Sequence, residues 1–198
     1  DFAIIGEGEE IMIEVMEAYK AWKKAGKVGG RQGFLNEVVK IQGIYVPSFY
    51  ETVYNEDGTV AEVKVINEAA PVAVEKRVVK DMNTIDFPDA PIVPFNDIVH
   101  DRIMLEVFRG CVRGCRFCQA GFSCRPVRKK SAEVLYRQAV ETLEDSGHNE
   151  ITLSSLSTSD YRELKELTDA MIPYCAANNL ALSFISSNFF LAAISALP

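Results

Sequence analysis

The stretch that decides the fold is an apolar run followed by three cysteines, Ile103-Met-Leu-Glu-Val-Phe-Arg-Gly-Cys-Val-Arg-Gly-Cys-Arg-Phe-Cys118. The apolar part, from Ile103 to Phe108, predicts a buried strand that leads into a loop. Cys111, Cys115 and Cys118 follow with the spacing C-x-x-x-C-x-x-C. Three thiolates this close are suited to three irons of one cubane cluster, whereas a structural 4Fe–4S cluster normally has four cysteine ligands. An iron left open would suit a small-molecule ligand, as the open position does in catalytic metal sites.

The loop that carries these cysteines is rich in positive charge. Seven Lys and Arg residues and no Asp or Glu lie from Arg109 to Lys130, in a chain whose net charge is −7. Because a cluster on three thiolates is anionic, nearby cations and backbone donors stabilise it. Gly114 is predicted to let the loop wrap the cluster. Phe117 is predicted to shield the cluster from water or to present its backbone to an adenine. The acidic chain as a whole argues against a general nucleic-acid binder, and the basic run 125–130 is interpreted as charge compensation rather than an RNA contact.

The chain has five cysteines, of which Cys124 and Cys175 lie outside the motif. A local cysteine cluster in an acidic chain without a signal peptide indicates a metal site in a cytoplasmic protein rather than a disulfide framework. Zinc is the alternative metal, with Cys124 as the fourth ligand that zinc would need. We interpret Cys124 as a bystander thiol and Cys175 as a core residue. His100 and His148 are isolated and are not assigned as ligands.

The residues after the cysteine loop alternate between helical and strand patterns. The predicted elements are a helix from Ser131 to about Asp145 closed by Gly147, a strand over 150–156, a second helix, and a strand over 180–185. Ser159 or Asp160 is predicted to cap the second helix, and Pro173 to bend it or end it early. This alternation implies parallel strands with right-handed crossovers.

The first hundred residues do not show this regular alternation of strands and helices. A short strand runs into Gly6 and Gly8, and an amphipathic helix follows until the glycines at 26, 29 and 30. We expect this strand–helix pair to be the last βα unit of an α/β domain whose earlier part is absent. Residues 45–54 and 59–66 are predicted to form a β-hairpin around the turn 55–58. The hairpin belongs to a proline-punctuated connector over 31–100.

The end of the chain is apolar, and the final 29 residues carry no charge. Residues 180–198 approach the length that crosses a bilayer. Their serines and the lack of flanking positive charge favour a soluble strand followed by a truncated segment, with a transmembrane helix as the alternative. No membrane association is therefore expected.

The cysteine spacing, with Phe117 before the last cysteine, resembles the radical S-adenosylmethionine (SAM) superfamily. The stretches 106–121, 125–128 and 153–161, together with Gly6-Glu-Gly-Glu9, are similar to one branch, which carries an N-terminal cobalamin-binding-type domain and whose substrate is generally not known. The resemblance implies the first half of a (β/α) barrel over 101–198, preceded by the hairpin connector over 31–100 and by the last βα unit of a Rossmann-like cobalamin-type domain over 1–30.

The resemblance also implies an activity. A 4Fe–4S cluster on Cys111, Cys115 and Cys118 would bind SAM through its amino and carboxylate groups. An electron from a donor such as flavodoxin or ferredoxin would then cleave SAM to a 5′-deoxyadenosyl radical, which abstracts hydrogen from an unknown substrate. Phe117, Ser155 and Ser157 are the candidate SAM contacts, since the serine run 154–157 takes the place of the polar motif after the second strand. A strand-end loop that caps the next helix is the alternative for these serines.

Two departures from the family pattern bear on the assignment. The cobalamin motif Asp-x-His-x-x-Gly is absent and would lie before Asp1, so cobalamin is a candidate cofactor of an upstream domain only. The tail after about 182 is atypical, and Ser183-Phe-Ile-Ser-Ser-Asn-Phe-Phe190 replaces an expected Leu-Pro-Ser-Leu-Arg-like run. We therefore expect a fragment that is inactive alone, with no assignable catalytic residue. A methylthiotransferase-like RNA modification enzyme and a non-catalytic zinc-binding module are the alternatives.

Overall fold

A computed structural model describes residues 1–88, 90–96 and 98–185 of the chain. It contains two compact units, Asp1–Val79 and the residues from Lys80 onward. The elements of the first unit are β1 (Ala3–Ile4), α1 (Gly8–Lys24), α2 (Gly30–Val38), β2 (Ile44–Tyr45), β3 (Tyr50–Tyr54) and β4 (Val60–Val65).

Helix α1 forms where the apolar spacing predicts it and buries Ile11 and Val15. Helix α2, which the sequence did not predict, packs Leu35 and Val38 into the same core. The glycines that predict the end of α1 also start α2, since Gly29 takes a left-handed φ of +72° at its N-cap. The first two helices therefore share one core, although the sequence placed the second in a connector.

The predicted β-hairpin is confirmed, with β3 and β4 paired antiparallel. Its turn contains Gly58 at a left-handed φ of +80°, and the Asp57 carboxylate accepts a 2.9 Å hydrogen bond from the Thr59 N–H. The strand does not extend back to residue 45, because Pro47–Phe49 forms a 3₁₀ turn that buries Phe49.

The second unit contains the predicted α/β alternation. Its elements are β5 (Ile103–Glu106), β6 (Phe108–Arg109), α3 (Ala120–Ser123), β7 (Arg128–Lys129), α4 (Ala132–Ser146), β8 (Glu150–Ser154), α5 (Leu164–Ala177) and β9 (Ala181–Ile185). The three long strands form one sheet in the order β5-β8-β9, and both pairings are parallel. Helices α4 and α5 connect these strands, so the mixed α/β architecture with a parallel sheet is confirmed.

The core of the second unit lies between the sheet and its two long helices. Leu105 and Leu153 from the strands are fully buried, as is Leu135 from α4. Met171 and Cys175 of α5 belong to the same cluster, as predicted for Cys175. This packing holds the carboxyl ends of β5 and β8 in fixed positions.

The predicted helix boundaries are partly right. Ser131 caps α4, since its Oγ accepts a 3.3 Å hydrogen bond from the Val134 N–H, and Gly147 ends the helix at a left-handed φ of +72°. The predicted cap of α5 is wrong, because its N-cap residue is Glu163. Pro173 lies inside α5, which continues to Ala177, so the early end is also wrong.

The assignment of residues 1–30 to a Rossmann-like cobalamin-type domain stays a prediction. Within the described residues, β1 pairs antiparallel with β2, and Gly6 forms a single parallel bridge with Arg77. The division at residues 30 and 100 and the atypical tail also stay predictions, and positions 186–198 of that tail lie outside the described residues. No described helix is both long and apolar enough to span a membrane.

Candidate functional site

The cysteine loop and the serine run begin at the same edge of the parallel sheet. Glu106, the last residue of β5, lies opposite Ser154, the last residue of β8. The carboxyl ends of parallel strands are where α/β proteins bind their ligands. The sheet therefore brings together two segments that are far apart in the sequence.

A short antiparallel pair closes the cysteine loop, with Phe108 opposite Lys129. Gly110 is the glycine that this closure requires, because its φ is +86° and a Cβ there would lie 2.9 Å from the Pro126 carbonyl oxygen. At Gly114, to which the sequence assigned the freedom of the loop, a Cβ would meet open space. The residue that lets the chain turn into the loop is therefore Gly110.

The three thiols of the motif are free, with Cys111 buried and Cys115 and Cys118 half-buried. The Arg113 N–H donates to the Cys111 Sγ at 3.4 Å, and the Gly121 N–H donates to the Cys118 Sγ at 3.4 Å. Hydrogen bonds to sulfur stabilise thiolate charge and tune iron–sulfur clusters. The loop therefore already directs backbone donors at two of the sulfurs.

The donor set of the loop is three cysteine thiols, the ligand type that iron–sulfur clusters take. In the part of the chain that the structure describes, no three Cys, His, Asp or Glu side chains are arranged to hold one metal ion. A structural zinc site needs four ligands around one point, whereas the cysteines of a cubane each bind a different iron. Cys124, which we interpreted as a bystander thiol and which only the zinc alternative would use as a fourth ligand, is exposed.

Acids from neighbouring elements neutralise part of the positive charge of the loop. The ion pairs are Arg109 with Glu106, Arg113 with Asp160, and Lys129 with Glu163. Lys130 is buried and donates to the Gln138 Oε1 at 3.0 Å, with its Nζ 4.9 Å from the Phe87 ring centroid. The net positive charge around the cysteine loop is therefore smaller in the folded chain than the sequence of the loop suggests.

The serine run forms a compact turn that ends at Asp160. The Ser155 Oγ lies 2.9 Å from the Thr158 Oγ1 and accepts from the Ser157 N–H at 3.3 Å. The Ser157 side chain is fully buried, and its hydroxyl donates to Asp160 at 2.7 Å. The hydrogen bond from Arg113, and to a smaller extent the one from Ser157, lowers the pKa of Asp160 below its usual range.

The predicted SAM contacts lie in different surroundings. Phe117 is 91% exposed on the cysteine loop, whereas Ser157 is 0% exposed. Ser155 is half-buried beside the end of β8. Their roles as SAM contacts stay predictions. Sequence reasoning treated Asp160 only as a helix cap and missed its ion pair with Arg113, for which no local spacing gives a signal.

A cavity of about 320 Å³ adjoins this region. Phe108, Val112 and Tyr161 give it an apolar wall, and Asp160 also lines it. Burial raises the pKa of Tyr161, whose hydroxyl donates to the Lys130 carbonyl oxygen at 2.8 Å. The cavity therefore lies between the cysteine loop and the turn that ends at Asp160.

A parallel sheet with a three-cysteine loop after its first strand defines an α/β protein with a candidate ligand site made of thiols. One family model, described as the radical SAM superfamily, matches residues 105–191. A second, described as the N-terminal region of radical SAM proteins, matches residues 1–47. Together the two cover more than half of the chain, which belongs to the radical SAM superfamily. Neither the curated proteins nor the solved structures contain a significant match.

Membership in this superfamily indicates an enzyme and implies a 4Fe–4S cluster and SAM as cofactors. The predicted superfamily is therefore confirmed. The cobalamin-type branch, the substrate and the binding of the cluster stay predictions.

Proposed function

We propose that this chain contributes the cluster-binding part of a radical SAM enzyme, with a 4Fe–4S cluster on Cys111, Cys115 and Cys118. One observation carries the proposal: three free thiols lie on the loop after β5, and backbone N–H groups donate to two of them. When bound, the cluster supplies the electron for reductive cleavage of SAM. The family matches support this chemistry, because they include the region of the cysteine loop.

The residues of the loop would hold negative charge in a restricted space. The hydrogen bond and negative charge of Asp160 raise the pKa of Arg113, and Cys111 and Cys115 contribute in the same direction to a smaller extent. The guanidinium therefore stays protonated beside the cysteines. The N–H groups of Arg113 and Gly121 add fixed dipoles that point at sulfur. Both effects place positive charge or the positive ends of dipoles beside the sulfurs, where an anionic cluster would bind.

The remaining contacts follow from the exposure of the predicted residues. Phe117 is exposed, which suits a contact of its backbone with an adenine, and Ser155 is half-buried at the strand end. Ser157 is buried and would act through Asp160 rather than on SAM directly. A one-electron donor such as flavodoxin or ferredoxin completes the proposal, and the free thiols suit a reducing, cytoplasmic compartment.

Anaerobic reconstitution of the 198-residue chain with iron and sulfide tests the proposal. We expect about four irons and four sulfides per chain, with a broad thiolate-to-iron absorbance near roughly 400 nm. Cys111→Ala should lose most of this iron, because it removes one of the three ligands. Cys124→Ala is the matched control, since Cys124 is an exposed thiol on the same loop.

Three results bear on the proposal directly. Addition of SAM should change the electron paramagnetic resonance spectrum of the reduced cluster, as expected for a ligand on the open iron. One equivalent of zinc without iron or sulfide would favour a zinc-binding module instead. Full iron content in Cys111→Ala would contradict the ligand assignment.

A further inference from the structure

The cysteine loop is tied to the turn after β8 by a bidentate ion pair. The Arg113 Nε lies 2.7 Å from the Asp160 Oδ2, and its second guanidinium nitrogen lies 2.6 Å from the Oδ1. Arg113 stands between the first two cysteines of the motif, and its partner is 47 residues further along the chain. The contact therefore fixes the first part of the loop, between Cys111 and Cys115, to a distant element.

The turn holds Asp160 in place through its own hydrogen bonds. The Ser157 hydroxyl donates to the Asp160 Oδ2 at 2.7 Å, and the Asp160 N–H donates to the Ser157 carbonyl oxygen at 2.8 Å. The Asp160 side chain is only 17% exposed, against 54% for Arg113. The carboxylate is thus the rigid partner, and the arginine on the loop is the one that it orients.

We propose that Asp160 is a positioning residue that orders the cysteine loop through Arg113 before any cluster binds. The inference deepens the proposed function and rests on it. Bringing flexible thiols into one geometry costs conformational entropy. A charge-assisted, bidentate contact stabilises one loop geometry in advance and so lowers that cost when the cluster binds.

The same inference gives the serine run a role. The Ser155 hydroxyl forms a hydrogen bond with the Thr158 hydroxyl, and the Ser157 hydroxyl donates one to Asp160. Both hydroxyls therefore help to shape the turn. The run presents the carboxylate that Arg113 needs. Ser157 does not contact a ligand directly in this proposal, because its side chain is fully buried.

The first test uses metal-free, reduced protein and the variant Asp160→Asn. The measurement is the rate at which iodoacetamide alkylates each cysteine, followed by mass spectrometry. We expect alkylation of Cys111 to accelerate about tenfold, since a hydrogen bond between charged groups contributes a factor of that order. The exposed Cys124 is an internal reference for thiol reactivity, and the buried Cys175 reports global unfolding.

Matched variants separate this role from loss of stability. Asp169→Asn removes an exposed ion pair with Lys165 on α5 and should leave every alkylation rate unchanged. Asp160→Glu keeps the carboxylate and should restore slow alkylation in part. If Arg113 and Asp160 act as one unit, Asp160→Asn combined with Arg113→Gln should have no larger effect than either change alone.

The second test measures iron retention after anaerobic reconstitution and exchange against a chelator. Asp160→Asn should bind iron about tenfold more weakly, in line with the effect of outer-shell partners in other metal sites. Wild-type alkylation rates in Asp160→Asn, or acceleration of Cys175 to the same extent as Cys111, would overturn the positioning role. A wild-type chain that takes up no iron and sulfide would overturn the proposed function, and the alkylation test would still report on Asp160.

Discussion

At the scale of single residues, Gly110 determines how the chain enters the cysteine loop. Its φ of +86° lies in the left-handed region, and a Cβ would come within 3.0 Å of the Cys124 carbonyl oxygen. A side chain at this position would therefore clash with backbone atoms, and the residue would also be held at an unfavourable φ. Because Gly110 directly precedes Cys111, this conformation directs the first thiol of the motif.

Gly110→Ala should lower the free energy of unfolding by at least about 1–3 kcal/mol, the usual cost of a left-handed non-glycine residue. Urea denaturation followed by circular dichroism measures it. Gly114→Ala is the matched control, because a Cβ there meets no atom within 4 Å, and it should change stability by less than about 1 kcal/mol. Equal losses in the two variants would show that the close approach at Gly110 is unimportant.

At the scale of elements, the sequence predicts best where local patterns are strong. Helix α4 has an apolar face, a serine cap and a closing glycine, and both boundaries are right. Helix α5 begins at Leu164, later than predicted, and the carboxylate of Asp160, one of the two predicted caps, accepts hydrogen bonds from Arg113 and Ser157. Helix α2 was missed because a segment so rich in glycine is typical of a loop. In the structure, Gly29 and Gly33 instead allow close backbone contacts at the start of the helix.

Ser131→Ala tests the capping of α4. The Ser131 Oγ accepts from the Val134 N–H, so its removal leaves one helix donor without a side-chain acceptor and should cost about 1 kcal/mol. Ser131→Asp keeps an acceptor and should stay close to the wild type. Thermal unfolding of the three proteins measures the effect, and an Asp variant as unstable as the Ala variant would argue against capping.

At the scale of the whole molecule, the residues that the structure describes form two separate cores. One is built on α1 and α2, and the other lies between the parallel sheet and its helices. The cysteine loop and the Asp160 turn both belong to the unit that begins at Lys80. The stability of the site is therefore expected to depend on the second core.

Two matched substitutions test this division. Leu35 and Leu135 are buried, one in each core, and replacement of either by alanine should cost about 2–5 kcal/mol in its own unit. Native-state hydrogen exchange should show faster exchange within Asp1–Val79 for Leu35→Ala, and from Lys80 onward for Leu135→Ala. Equal acceleration in both units from either change would mean that the chain unfolds as one block.

The sequence by itself determined the superfamily, the three candidate thiol ligands, the α/β alternation and the hairpin. The superfamily came from a resemblance of local sequence stretches, and the other three depend on local spacing and periodicity; a single chain displays both without its fold. Only the tertiary structure paired Arg113 with Asp160 and buried Ser157, because partners 47 residues apart share no local pattern. It also revealed the role of Gly110, since close approach between separate backbone segments exists only once the loop is folded.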